Sequence, residues 1–411
     1  MSMGKNAIST ESLKRREEAL ELSGWGLPFK FFQPHNLCFW VFVVVMAGGL
    51  VGMFEFYSGS GRQLAPAIGV GTVSVAIYGL IFVAILRLSD HYERQPRKLV
   101  LTAFLWGGIA ATFAIAVTAN NAMLAIYPKL FGQAFGTDWG AALSAPFTEE
   151  TAKAGGFILL LGLAPRLIRS PYDGIFIGAF IGLGFQLFED VLYSYNTALT
   201  AFGVDQAGVA FSTFLARAGT GMFSHTLYTA LFCCGIIYAV GTPLQKRRLG
   251  LGISLMALAM AAHGIWDGAA ALGDGSSVGL LGAALVGVAS LVAVLISLHK
   301  TVPEERDFLR SILQPELELG TISAEELDAV CAPRKARRRF IRDGRGRKRH
   351  RRRKHLLRAT LDLAHEIARA RGGESEGVAH ERAEITRLRG KSSPEPPEKM
   401  GATPVSEPTS A

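Results

Sequence analysis

Cysteine is scarce in this sequence, and its spacing does not suggest cross-links or metal sites. The 411 residues include four cysteines, and they form neither a disulfide framework nor a zinc-finger pattern. Cys38, Cys233 and Cys234 lie within apolar runs, and Cys331 lies in the polar C-terminal part. The cysteine pattern therefore excludes a disulfide scaffold and a cysteine-based zinc finger, and it does not require an oxidising compartment.

Two further patterns are missing from the sequence. No clear A-x-A cleavage site follows the first apolar run, which starts far from residue 1, so we expect a retained span and not a cleaved signal peptide. No internal inverted repeat is visible, although such repeats are common in secondary transporters. This second absence argues against a transporter.

Long apolar runs dominate what is present. Hydrophobic residues make up 49% of the chain, and the mean hydropathy is +0.28, too apolar for an ordinary soluble domain. Runs of about 20 residues, the length that a hydrocarbon core demands of a helix, recur along the chain. They predict an all-α polytopic membrane protein with about eight transmembrane helices, near residues 37–57, 66–88, 98–119, 139–163, 173–195, 211–240, 249–271 and 278–298.

Basic residues predict the orientation and the domain organisation. Loops rich in Lys and Arg alternate with loops that hold one basic residue or none, so the positive-inside rule places both termini in the cytoplasm. We expect a cytoplasmic or interfacial segment at 1–36 and a transmembrane domain at 37–298. A basic cytoplasmic tail follows at 299–411; it is predicted to be partly helical, with a disordered end from about Gly390.

One stretch in the fourth apolar run carries charges at membrane depth. Glu149, Glu150 and Lys153 lie there, and each costs on the order of 2.5–3.5 kcal/mol at the bilayer centre. On a helix Lys153 shares a face with both carboxylates, whereas Glu149 and Glu150 point about 100° apart. The pattern indicates a functional site, or else an ion cluster that only ties helices together.

Three later runs contribute ionisable side chains of their own. The fifth run contains Phe185 and, four residues later on the same helix face, Glu189. The sixth contains His225, and the seventh contains His263 with Asp267 one helical turn later. The predicted topology lets these groups converge in the outer half of the bilayer, which an ion cluster on a single helix does not explain.

These residue types suit hydrolysis. A carboxylate held away from bulk water binds a proton more tightly and is a better general base near neutral pH. Two histidines from other helices can polarise a carbonyl group or hold a metal ion. Asp267 can orient the ring of His263, and Phe185 can keep the cavity dry. Each histidine taken singly also fits a packed, hydrogen-bonded core residue.

Three motifs in this order resemble those of a known family. Glu149-Glu150-x-x-Lys153, Phe185-x-x-x-Glu189 and His263-x-x-x-Asp267 are similar to the signature motifs of the PrsW intramembrane proteases, relatives of the CAAX prenyl proteases. The resemblance covers roughly residues 70–270. It implies a membrane protease that cuts a membrane-anchored protein, in the PrsW case an anti-sigma factor, and it implies a multi-pass protein of the cytoplasmic membrane.

The resemblance also implies roles for the individual residues. Glu149 would activate water with help from Glu189, Glu150 could exchange with Glu149, and Lys153 would hold the unused carboxylate. His225 and His263 would stabilise the oxyanion or, with Glu189, bind zinc. Since no H-E-x-x-H motif is present and a metal-free glutamate mechanism needs the same residues, zinc and no metal stay open.

Other functions remain as alternatives. Buried Glu, His and Asp also build the proton relays of transporters and channels, and a protease fold can serve as a non-catalytic scaffold. The basic tail could bind anionic lipid or be a solvated linker that only sets topology. It has no interleaved aromatic residues that would stack nucleic-acid bases. The residues expected to contact lipid are Arg337, Arg338, Arg339, Arg351, Arg352 and Arg353.

Overall fold

A computed structural model describes residues 8–221, 224–274, 276–343 and 346–390. The described residues are helical and contain no β-strand, which confirms an all-α polytopic membrane protein. They form two compact units, one comprising Glu18–Phe308 and the other comprising Met1–Glu17 with Leu309–Ala411. We call them the membrane unit and the tail unit. The predicted disordered end, beyond residue 390, lies outside the described residues.

The membrane unit contains most of the helices. They are α2 (Leu37–Ser58), α3 (Ala65–Ser89), α4 (Arg97–Leu105), a wider π-helical segment (Trp106–Ala116), α5 (Val117–Phe131), α6 (Gln133–Leu163), α7 (Pro171–Thr200), α8 (Gln206–Gly221), α9 (His225–Val240), α10 (Leu249–Asp267) and the short α11 (Ala269–Leu272). Helices α1 (Thr10–Ser23) and α12 (Ser277–Glu318) each continue from one unit into the other.

The number of spans differs from the prediction. Six helical stretches among the described residues are long and apolar enough to cross a membrane, and their number does not confirm the expected eight. The predicted span at 211–240 is wrong as a single helix, because α8 ends at Gly221 and α9 begins at His225. Gly219 and Gly221 at the end of α8, and Ser224 at the N-cap of α9, are less favourable in a helix than alanine and weaken a continuous helix here. Helix α9 has 16 residues, about 24 Å, which is short for a bilayer core.

Helix α7 forms the centre of the membrane unit. It is buried along most of its length and packs against α9 through two glycines spaced four residues apart. A Cβ atom on Gly178 would lie 2.6 Å from the carbonyl oxygen of Thr229, and one on Gly182 would lie 2.3 Å from that of His225. The glycines therefore let the two backbones touch, as their spacing predicts. This contact holds the start of α9 beside the second half of α7.

The first turn of α7 is fixed by buried polar groups at one end of the bundle. Ser170 and Asp173 form a capping box, and Gln95 donates a hydrogen bond of 2.7 Å to Asp173. Asp90 and Glu93, in the connection between α3 and α4, are buried beside them. Burial raises the pKa of Asp90 to about 6. Burial and the nearby Asp173 carboxylate together raise the pKa of Glu93 well above its usual value.

Acidification should therefore stabilise the fold. A carboxyl group whose pKa is higher in the folded than in the unfolded state favours folding below the unfolded pKa, and this contribution is lost as pH rises through the folded pKa. For Asp90 that window runs from 3.8 to about 6.

We expect Glu93→Gln, which removes the charge but keeps the shape, to raise the melting temperature by roughly 2–4 °C at about pH 7.5. At about pH 5 the change should be smaller, because the cost of a raised carboxyl pKa grows as the pH rises above the unfolded value. Differential scanning fluorimetry in detergent measures both values. Glu21→Gln, at an exposed position of the same unit, is the control and should leave both unchanged. A lower melting temperature for Glu93→Gln at the higher pH would contradict the assignment.

The tail unit is folded around its own charged core. It contains α13 (Ala324–Cys331), α14 (Arg334–Arg342), α15 (Arg347–Arg369) and α16 (Glu376–Gly390). Glu316 is fully buried and is paired with Arg16 at 3.0 Å and with Arg382 at 2.8 Å. Helix α15 is amphipathic in its second half, where its apolar face is buried from Leu356 onward.

Candidate active site

A cavity of about 270 Å³ lies in the membrane unit where α5 to α10 meet. Side chains from all six helices reach its wall. The ionisable and amide groups relevant to chemistry there are Asn120 (α5), Glu149 (α6), Glu189 (α7), Arg217 (α8), His225 (α9), and His263 and Asp267 (α10). The structure therefore brings together the groups that the sequence placed on four separate runs.

The two adjacent glutamates of α6 have different surroundings. Glu149 lines the cavity, whereas Glu150 does not and is completely buried behind it. The Glu150 oxygens accept hydrogen bonds from Lys153 at 2.8 Å and from the Thr229 hydroxyl at 3.0 Å, and one oxygen lies 3.1 Å from His263 Nδ1. Of the two carboxylates, Glu149 is thus the one that faces space for water and substrate.

Lys153 lies at the centre of the cluster. Its ammonium nitrogen is 2.8 Å from Glu150, 3.5 Å from Glu149 and 2.9 Å from His225 Nδ1. It also lies 3.9 Å from the centre of the Phe185 ring, which is itself buried. This cation–π contact adds to the packing role expected of Phe185.

The ammonium determines the tautomer of His225. An ammonium group can only donate hydrogen bonds, so His225 Nδ1 must accept one and the ring proton must be on Nε2. That nitrogen lies 3.0 Å from Glu189 Oε2 and donates to it. Lys153, His225 and Glu189 therefore form a continuous chain of hydrogen bonds from α6 through α9 to α7.

His263 is held from both sides of its ring. Nδ1 lies 3.1 Å from Glu150, and Nε2 lies 3.3 Å from Asp267 and 3.6 Å from Glu149. The ring stacks on Tyr228, with the ring centres 5.4 Å apart. Asp267 contacts this ring, as its spacing suggests, but Glu150 contacts the opposite nitrogen. Nε2 is therefore the nitrogen of His263 nearest the cavity-facing Glu149.

Two residues of the wall were not singled out from the sequence. Asn120 donates a hydrogen bond of 3.0 Å to Glu149 Oε1, and its own carbonyl oxygen accepts one from the Thr148 hydroxyl. Arg217 forms ion pairs with Glu189 and Asp190. In the sequence Arg217 is a single charge within the long apolar run at 211–240. An amide or guanidinium amid apolar residues is the sequence signal that would have identified both.

The donors available for a metal ion differ slightly from those expected. Among the described residues, Glu149, His225 and His263 offer ligand atoms that all lie within 4.8 Å of one another, so Glu149 replaces Glu189 in the expected zinc set. Two histidines and a carboxylate suit zinc. However, the Lys153 ammonium already contacts His225 Nδ1 and Glu149 Oε2. A cation in this position repels a metal ion and uses the lone pairs that would bind it, so these residues do not fit a metal as arranged.

Comparisons with known proteins agree with the site. Residues 95–298 match the model of a family described as PrsW family intramembrane metalloprotease. The chain is 29% identical to Protease PrsW of Geobacillus kaustophilus over 191 residues, which are 46% of this chain and 74% of that protein. It is also 29% identical to Protease PrsW of Bacillus subtilis over 140 residues, 32% of this chain and 54% of that protein. No solved structure matches the chain significantly.

The matched region contains α4 to α10, and with them the glutamates, histidines and lysine of the cavity. A match to a protease family argues against the transporter alternative. Residues 95–298 therefore belong to the PrsW family of intramembrane proteases, and the protein is a peptidase.

Proposed function

We propose that this peptidase hydrolyses a peptide bond of a membrane-anchored protein, using water activated by Glu149 and no metal. The observation that carries the proposal is the convergence of Glu149, Glu189, His225 and His263 on one cavity. The family resemblance favours an anti-sigma-factor-like substrate and a site of action in the cytoplasmic membrane. The buried apolar surroundings favour a substrate segment that enters from the lipid.

Glu149 is the proposed general base. Asn120 holds Oε1, which leaves Oε2 directed towards the two histidines. Oε2 removes a proton from water, the water oxygen bonds to the peptide carbonyl carbon, and the carbonyl oxygen becomes negative. Glu149 then passes that proton to the leaving nitrogen as the C–N bond breaks. The products are a new carboxyl end and a new amino end.

In this proposal His263 acts on the carbonyl oxygen, and His225 limits where the carbonyl group can lie. His263 Nε2 is 3.6 Å from Glu149, so a substrate carbonyl placed beside the activated water reaches both groups. His225 is held by Lys153 and Glu189 and forms the adjacent wall, where it limits the position of the carbonyl. Glu150 keeps Lys153 and His263 in place from behind the cavity.

Glu149→Gln should abolish cleavage, because an amide cannot accept the proton; loss of a general base costs about 10²–10⁴-fold. Folding should be unaffected. Comparative proteomics of membrane proteins from cells with wild type or Glu149→Gln should reveal new amino ends only in the wild type. Cells with His263→Ala should also lack these new amino ends. Wild-type levels of the new ends in Glu149→Gln cells would remove Glu149 from the role of base.

Glu150→Gln is the matched comparison, since it changes the neighbouring glutamate in the same way. It leaves the buried Lys153 short of a charged partner, which costs about 3–5 kcal/mol. We therefore expect a lower melting temperature for Glu150→Gln and an unchanged one for Glu149→Gln. The reverse pattern would exchange the roles of the two residues.

Asn120→Ala should lower kcat by roughly 10–100-fold with little change in KM, because Glu149 loses the bond that orients it. Kinetics on a substrate found by proteomics would measure both constants. Asn121→Ala is the control: Asn121 lines the same cavity and forms no hydrogen bond within the described part of the chain. Equal decreases of kcat in both variants would show that the effect comes from any change in the cavity wall and not from the loss of the hydrogen bond to Glu149.

Removal of metal should leave activity unchanged, because Lys153 takes the position that a metal ion would need. We expect far less than one zinc per chain by elemental analysis of the purified protein, and no inhibition by 1,10-phenanthroline. Stoichiometric zinc, with activity that chelation removes and added zinc restores, would contradict this part of the proposal.

A further inference from the structure

Two groups of basic side chains in the tail unit differ in their partners. One group is neutralised by carboxylates within the unit: Arg16, Arg310, Arg358, Arg369, Arg382, Arg387 and Arg389 all form ion pairs. The other group is exposed and forms no ion pair with any described residue. Its members are Arg334, Lys335, Arg338, Arg339, Arg342, Arg347, Lys348, Arg349, Arg351 and Lys354. We call this second group the basic surface.

The basic surface occupies a continuous part of the chain. It comprises α14 and the first two turns of α15, and Asp343 is the only acidic residue between Arg334 and Lys354. The buried face of α15 begins only at Leu356. The preceding turns of α15 are thus not part of the core of the tail unit, and their basic side chains are exposed.

Other arginines of the same stretch hold this surface together. Arg353 donates a hydrogen bond of 2.6 Å to the carbonyl oxygen of Phe340, and its guanidinium lies 4.6 Å from the centre of the Phe340 ring. Arg352 donates to the carbonyl oxygen of Arg389. Both residues were expected from the sequence to contact lipid, but they are partly buried and bonded within the unit. They join α14 and α16 to α15, so the basic surface belongs to a folded unit.

Such a concentration of unneutralised charge requires an anionic partner or a cloud of counterions. The tail unit is covalently continuous with the membrane-spanning α12, so phospholipid headgroups are the anions at highest local concentration. Phe340 is the only phenylalanine, tyrosine or tryptophan between Arg334 and Lys354, and its ring is covered by Arg353. The exposed part of this stretch therefore lacks the large aromatic rings that form stacking platforms for single-stranded nucleic acid.

We propose that the basic surface docks on a membrane leaflet rich in anionic phospholipid. The contact is electrostatic, so it weakens with salt, and it involves the exposed side chains of α14 and early α15 but not the paired arginines. It requires no step of peptide hydrolysis and is independent of the function proposed for the cavity.

Hydrogen exchange of the full-length protein in lipid nanodiscs tests this contact. Discs of phosphatidylcholine alone are compared with discs of an equimolar mixture with phosphatidylglycerol. We expect amides of residues 334–354 to exchange at least about fivefold more slowly in the anionic discs at low salt, and equally fast in both discs at high salt. Amides of α16 serve as an internal reference and should not change. Equal exchange at low salt would overturn the proposal.

Matched variants identify the side chains involved. Replacing Arg338, Arg339, Arg349 and Arg351 by Gln should remove the slower exchange in anionic discs. Replacing four paired arginines by Gln removes the same total charge, and this variant should still exchange more slowly in anionic discs. The four are Arg310, Arg358, Arg369 and Arg387. Each variant must exchange like the wild type in phosphatidylcholine discs, which shows that it folds. Equal loss in both variants would mean that net charge, and not this surface, is responsible.

A nucleic-acid partner gives a different result. Duplex DNA added to the protein in phosphatidylcholine discs would then slow exchange at residues 334–354, whereas phosphatidylglycerol would not. That outcome would overturn the lipid assignment. Slower exchange with phosphatidylglycerol and none with DNA at physiological salt would support it.

Discussion

A single buried ammonium group determines the geometry of the site. Lys153 is completely removed from solvent, and an unpaired charge in such surroundings is expensive. Its hydrogen-bond requirements are met by two carboxylates of its own helix and by a histidine of α9. Because the ammonium only donates, it fixes the His225 tautomer and turns the other ring nitrogen to Glu189. One charge thus sets the relative positions of groups on three helices.

The arrangement also depends on the close approach of α7 and α9. Gly178 and Gly182 carry no Cβ, and the backbone of α9 occupies the space that one would need. With larger residues at these positions, His225 would lie farther from Glu189 and from Lys153. The same packing buries Glu150 and leaves Glu149 at the cavity. Separation of the two glutamates is therefore a consequence of helix packing as much as of their order in the chain.

Much of the site could be predicted from the free-energy cost of placing charged side chains within a membrane. Charges within apolar runs are retained only where they have partners, which is why Glu149, Glu189, His225 and His263 stood out. The prediction of a single helix at 211–240 was wrong because hydropathy does not register the non-helical backbone at Ser224, the N-cap of α9. Asn120 and Arg217 were not predicted, because an isolated polar residue in an apolar run does not reveal which side chain it bonds. The three donors that lie close together, Glu149, His225 and His263, differ from the expected set for a related reason: the carboxylate that faces the two histidines depends on how several helices pack.

The helical membrane class, the family motifs and the residues that need polar partners could all be read from the chain. These follow from local properties, namely the length of apolar runs, the residue spacing on a helix and the cost of charge in lipid. The packed helices were needed to establish which glutamate faces the cavity, which group each histidine nitrogen contacts, and which arginines of the tail are neutralised. Each of these depends on the side chain that a distant segment places opposite, and spacing along one helix carries no information about that neighbour.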